Sequence, residues 1–180
     1  MLLSYVELMQ LVEMKVIDAA PPSNVNGTSI DVTLGESLMI ECSQSVYPTI
    51  DLSLKQTPQM THYKMSECGF VLRPNQFVLA VTQETFNLPN NIACEFKLKS
   101  SIARAGLNHH LAGWCDPFWS NSNLTLELHN CLQHNNILLK PGMKIGQMIF
   151  YKVSEVPVAN SYAVHGRYNN TTDVTASKGV

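Results

Sequence analysis

Hydrophobic positions recur along the chain with two different periods. Over residues 4–15 the spacing is helical: Tyr5, Leu8, Met9 and Val12 fall on one face, and Ser4 with Glu7 forms a capping-box pair at the start. Lys15 lies near the expected C-terminal end, where its charge would complement the helix dipole. This predicts a helix packed on a domain, with no chemistry of its own. From Pro21 onward the period drops to two. Residues 29–34 alternate, and Gly35 is expected to end that strand. Residues 70–72, 77–81 and 92–98 are short apolar or alternating runs, separated by turn residues at Arg73-Pro74-Asn75 and Leu88-Pro89-Asn90-Asn91. In residues 124–128 the alternation is strict, so Leu124, Leu126 and Leu128 share one face of a strand while Thr125, Glu127 and His129 share the other. Residues 137–139 lead into the turn Lys140-Pro141-Gly142, and residues 144–151 form a strand interrupted at Gly146. Residues 43–67 carry the least pattern and are expected to form a long surface excursion. Many short strands, Pro/Gly turns and one long helix predict an all-β sandwich or barrel. With no internal repeat, residues 1–180 read as a single domain. Residues 157–180, polar and rich in Asn and Thr, are expected to be a flexible tail.

Composition narrows the function classes. The chain has 180 residues, 45% hydrophobic and 14% charged, which suits a globular domain with a sizeable core. A formal net charge of −2 offers no global attraction to nucleic acid or to an anionic membrane, so any polyanion site must be a local pocket. Cys42, Cys68, Cys94, Cys115 and Cys131 are scattered, odd in number and form no CxxC, which predicts reduced thiols and a cytoplasmic location. The apolar start is interrupted by Glu7 and Glu13 and lacks a basic leader, so it does not read as a signal peptide. No run of apolar residues is long enough to span a bilayer.

Two stretches carry candidate chemistry. Residues 100–106 (SSIARAG) read as one helical turn, capped by Ser100 and ended by Gly106 in a left-handed conformation. Ser100 and Arg104 lie four apart and share a face, so hydroxyls, a guanidinium fork and a helix start together suit a phosphate-bearing ligand. Glu127 is a carboxylate in an apolar strand, costly to bury unpaired and therefore a candidate acid–base group. Leu126 and Leu128 are expected to supply the apolar surroundings that raise its pKa; the competing reading is an edge-strand glutamate facing solvent. Asp31, inside a strand, reads as structural and bonded to a neighbouring loop. His129, Cys131 and His134 could be imagined as zinc ligands, but paired CxxC or HxxxH spacing is missing, as are the H-x-E and P-C-x-x-C elements of zinc deaminases, so no zinc is expected. The His109-His110 pair reads as loop packing or pocket lining. Trp114 suits either a pocket wall or the core, and Asp116 before Pro117 reads by itself as a turn residue.

The runs SSIARAGL, AGWCDP, LTLELHN and LKPGMKIGQMIF, with VNGTSIDVTLG upstream and GRY downstream, resemble the metal-independent dCTP deaminases of the dUTPase-like superfamily. The resemblance implies a dUTPase-like distorted jelly-roll or β-clip barrel with an N-terminal helix and a C-terminal tail that closes over bound nucleotide. It implies hydrolysis of dCTP to dUTP and ammonia, with a bifunctional enzyme that also removes pyrophosphate to give dUMP, or a non-catalytic nucleotide-binding relative, as alternatives. A pure dUTPase fits less well, because its Gly-rich C-terminal motif is missing. Glu127 would be the proton shuttle, with Ser100 and backbone groups near Ala112 holding the water. Lys99, Ser100, Ser101 and Arg104 would contact the triphosphate, Asp116 the sugar, and Trp114, Thr125, Gln147, Tyr162 and Arg167 the rest of the nucleotide. Mg²⁺ would arrive with the triphosphate. The family also implies a homotrimer whose sites lie between subunits, with dTTP as a feedback inhibitor. Two departures flank the expected base and sugar pocket. The loop 107–112 is one residue short, and the turn 116–123 lacks the family's glycines and is one residue longer.

Overall fold

Helix α1 (Tyr5–Glu13) begins where the capping pattern places it, with the Glu7 carboxylate accepting from the Ser4 backbone N–H at 2.8 Å. It stops short of Lys15, which adopts a left-handed φ of 56° beyond the helix and lies 3.8 Å from Asp18. Lys15 therefore does not serve the helix dipole. The computed structural model describes residues 1–44 and 46–179.

The strands follow as β1 (Ile17–Asp18), β2 (Ile30–Glu41), β3 (Met60–Lys64), β4 (Phe70–Leu72), β5 (Phe77–Asn87) and β6 (Ile92–Leu98). A short helix, α2 (Ser100–Arg104), precedes β7 (Leu107–His109), β8 (Trp114–Cys115), β9 (Ser120–Asn130), β10 (Ile137–Leu139) and β11 (Lys144–Lys152), and helix α3 (Tyr162–His165) lies in the tail. Nine strands form one antiparallel sheet in the order β7-β9-β5-β2-β11-β6-β8, with β1 added to β5 and β3 to β2; β4 and β10 form a separate ribbon. The two ends of that order, β7 and β8, are neighbours in sequence. The loop 110–113 between them bonds to both sides: His110 N–H donates to Glu127 O of β9 at 3.4 Å, and Phe96 N–H of β6 donates to Gly113 O at 2.9 Å. The sheet thus curls until its edges meet at one loop, and the core fills the curl.

Gly35, read as a strand end, and Gly146, read as an interruption within a strand, both mark close approaches. β2 runs through Gly35, where a Cβ would sit 2.9 Å from Val81 Cγ1 of β5. β11 runs through Gly146, where a Cβ would sit 2.2 Å from the Phe96 ring. Each adjoins a shift in pairing register, so the glycine admits a neighbour without breaking the strand. The expected excursion at 43–67 also contributes a strand, β3, paired along β2.

On β9 the alternation holds. Leu124, Leu126 and Leu128 are 7%, 0% and 0% exposed, each contributing about 1.5–3 kcal/mol by burial. β5 is buried on both faces: Val78 and Ala80 enter the main core, while Leu79 and Val81 form a second cluster with Val174 of the tail. The tail lies against β9 and the residue before it. Asn123 N–H donates to Thr171 O (2.9 Å), Ser120 N–H to Asn169 Oδ1 (2.8 Å) and Trp119 Nε1–H to Tyr168 O (3.0 Å). Backbone carbonyls of Tyr168 and Thr171, together with the side-chain oxygens of Asn169 and Asn170, dock the tail along this edge.

Asp31 of β2 is structural, as read. Its side chain is 5% exposed, Asn26 Nδ2 donates to Oδ1 at 2.9 Å, and Lys99 and Lys144 reach Oδ1 and Oδ2 at 2.7 and 3.1 Å. Burial pushes its pKa up, but hydrogen bonds from Lys99, Lys144 and Asn26 outweigh that and hold it below the ordinary value. As pH falls, the unfolded chain takes up this proton first. The stabilisation is therefore full above the unfolded pKa of about 3.9 and is lost as pH falls through the lower folded value. Glu84 has the opposite sign, since burial raises its pKa although Thr33 N–H and Oγ1–H both donate to it. Comparing wild type with Asp31→Asn isolates the aspartate. In denaturant unfolding the wild type should lose more stability than the variant between about pH 5 and pH 2. Parallel pH profiles would show that Asp31 does not carry this term.

Candidate active site

The curl leaves a cleft of about 450 Å³ on the outer face of β9, roofed by the tail. Its floor follows from strand period and register. Thr125 and Glu127 project from β9 on the face opposite the three leucines, and Phe77 and Leu79 of β5 lie beside them, with Leu79 paired to Glu127 and Phe77 to His129. Ala112 comes from the loop that joins the sheet edges, Trp114 from the start of β8, and Tyr162, Tyr168, Thr171 and Thr175 from the tail. The lining is largely apolar with one carboxylate, an arrangement that suits a flat, partly polar ring.

Glu127 is neither an edge-strand glutamate in open solvent nor surrounded by its sequence neighbours. Leu126 and Leu128 point into the core, and the Glu127 side chain, 27% exposed, meets His109 of β7 instead. His109 Nε2 lies 3.1 Å from Glu127 Oε2, yet the two are not aligned as a hydrogen bond, and both atoms are buried without another partner. That leaves Oε1 as the carboxylate oxygen available to the cleft.

The other predicted residues divide between locations. Thr125, Ala112, Trp114 and Tyr162 line the cleft with Glu127. Trp114 is a wall and not core: it is 55% exposed, its indole N–H donates to Asp116 Oδ1 at 2.9 Å, and its ring lies 5.9 Å from that of Tyr151. Asp116 lines an adjoining recess of about 320 Å³ that shares Tyr162 with the cleft. Burial pushes the Tyr162 phenol pKa up, so it stays a neutral donor at ordinary pH.

The phosphate candidates lie outside the cleft of their own chain. Ser100, Ser101 and Arg104 form exposed α2, which Gly106 ends at φ 90°; the N-cap position is Lys99, so Ser100 is the first helical residue and not the cap. Lys99 is held by Asp31, and Gln147 of β11 accepts from Ser29 Oγ at 2.9 Å. Arg167 donates to Gly179 O and pins the chain end, beside Lys178, whose Nζ lies 5.0 Å from the Tyr168 ring centre. Among the described residues no group of three or more His, Cys, Asp or Glu is placed to hold a metal ion. Cys131 Sγ does come within 3.4 Å of His129 Nδ1. No helix among the described residues is long and apolar enough to cross a membrane.

The model of the dCTP deaminase-like family matches residues 2–153. The chain belongs to the dCTP deaminase-like family. Similar relatives include the dUMP-forming dCTP deaminase of Streptomyces griseus, 39% identical and covering 90% of this chain and 85% of the relative. That of Persephonella marina is 31% identical and covers 99% and 97%. The crystal structure of the Agrobacterium tumefaciens 2'-deoxycytidine 5'-triphosphate deaminase shares the fold, with a TM-score of 0.64 at 17% identity over 84% of this chain and 48% of that one. The chain thus spans about half the length of that structure's chain.

For a dCTP deaminase-like chain the family match ends before Tyr162, Tyr168, Thr171 and Thr175, so the roof of the cleft lies beyond the matched segment. Sequence reasoning also passed over Phe77 and Leu79. Both belong to an apolar run, and only the register of β5 on β9 assigns them to the cleft.

Proposed function

We propose that the chain deaminates dCTP and releases pyrophosphate, giving dUMP. The observation that carries the reading is the Glu127 carboxylate set into an apolar cleft of suitable size for a nucleoside. The product follows the names of the relatives, which favour dUMP over the dUTP expected from the sequence. In the first step water adds to cytosine C4 while Glu127 takes its proton. The carboxyl hands that proton to ring N3, then takes the second one from the new C4 hydroxyl and passes it to the amine, so that the C4–N bond breaks, C4=O forms and ammonia departs. A second water then attacks the α-phosphorus, pyrophosphate leaves, and dCTP plus two waters become dUMP, ammonia and pyrophosphate. Phe77, Leu79 and Trp114 flank the ring, and the Ala112 backbone and Ser100 orient the water. Mg²⁺ travels on the triphosphate oxygens and neutralises their charge.

The separation of α2 from the cleft supports a shared site in a homotrimer, with Ser100, Ser101 and Arg104 serving the cleft of a neighbouring subunit. The deciding experiment offers purified protein dCTP, dCMP and dUTP and separates the products by chromatography. From dCTP, dUMP and pyrophosphate should appear in step with ammonia. Accumulation of dUTP equal to the ammonia would leave a deaminase only, and no product from any nucleotide would leave a binding protein.

A further inference from the structure

We infer that His109 is a positioning residue for Glu127, holding one carboxylate oxygen so that the other faces the reacting base. The inference rests on the reading of Glu127 as the proton shuttle. His109 comes from the three-residue edge strand β7, is 3% exposed, and packs its ring 4.6 Å from that of Phe96. Its Nε2 and Glu127 Oε2 are buried 3.1 Å apart, and neither has another hydrogen-bond partner among the described residues. Burying an imidazole nitrogen and a carboxylate oxygen unpaired is costly, so the stable outcome is a small rotation that lets Nε2–H donate to Oε2. Such a bond fixes the carboxylate about its last torsion, which is otherwise soft.

The consequence for the reaction is geometric. With Oε2 held, Oε1 takes the two protons of the attacking water in turn, the first passing to N3 and the second, from the C4 hydroxyl, to the leaving amine, while His109 only holds the carboxylate in place. Neighbouring histidines do not offer the same contact. His110 and His129 face each other at 5.7 Å, with Phe77 beside His110 at 5.6 Å and the Cys131 thiol on His129. Those groups, with Cys115, Tyr162 and Tyr168 across the cleft, are the other titratable side chains around the carboxylate among the described residues.

The test compares His109→Leu, which keeps apolar bulk against Phe96 but cannot donate, with His109→Gln, whose amide N–H can reach the position of Nε2. With dCTP as substrate, His109→Leu should lower kcat about ten- to a hundredfold with KM within about twofold, and His109→Gln should recover most of the loss. Unchanged kcat in folded His109→Leu would overturn the inference, as would equal losses in both variants with KM rising alongside. If the leucine variant does not fold, His109→Ala with added imidazole replaces it: turnover that climbs with imidazole supports the inference, and a flat response overturns it. Glu127→Gln assayed in parallel separates the two levels. A dead Glu127→Gln beside a fully active His109→Leu removes only the role of His109, whereas an active Glu127→Gln removes the reading of Glu127 itself.

Discussion

Replacing Glu127 by glutamine should lower turnover at least about a hundredfold while leaving nucleotide binding nearly intact. The substitution keeps the size of the side chain and its place beside Leu79 and His109, so the cleft retains its shape. What is lost is the carboxylate on the cleft floor that takes up and returns the proton. Steady-state turnover and equilibrium dCTP binding, measured on the same preparation, check both halves. Turnover close to wild type would remove Glu127 from the chemistry.

Loss of the Arg104 guanidinium should cost about ten- to a hundredfold in dCTP affinity, the value of a charge-assisted contact of roughly 1.5–3 kcal/mol. Arg104→Lys keeps the charge but not the planar fork, so it should weaken binding less than Arg104→Ala but should not match wild type. The position of α2 gives this prediction a second edge. Since Arg104 lies outside the cleft of its own chain, weakened Arg104→Ala and Glu127→Gln chains, assayed at low dCTP, are expected to complement each other. Subunit exchange between them should regenerate sites that hold both residues and recover part of the activity. Mixed oligomers that stay dead would place the whole site within one chain.

Much of the architecture is legible in the sequence because local rules and packing agree. The strict alternation around Leu126 identifies both the core face and the chemical face of β9, and the turns at Pro74 and Pro89 bracket β5. Gly35 and Gly146 misled because a glycine's weak strand preference was outweighed by what packs against it, Val81 in one case and Phe96 in the other. The docking of the tail was not legible, because residues 169, 170 and 171 meet Ser120, Asn121 and Asn123 of β9 only through the fold.

The site was legible in part. Glu127 stands out as a carboxylate among leucines, although those leucines face away from it. His109 gave no periodic signal, because its strand is three residues long, and its contact with Glu127 depends on β7 pairing with β9. The ion pair between Lys99 and Asp31 joins residues 68 apart in sequence, a distance over which no local rule operates.

The most direct measurement of the central claim is a crystal structure of Glu127→Gln with dCTP bound. The account predicts cytosine between Phe77, Leu79 and Trp114, with N3 and the 4-amino group toward residue 127, and the triphosphate on Ser100, Ser101 and Arg104 of a neighbouring subunit. A nucleotide bound away from this cleft, or held with its base turned from residue 127, would contradict it.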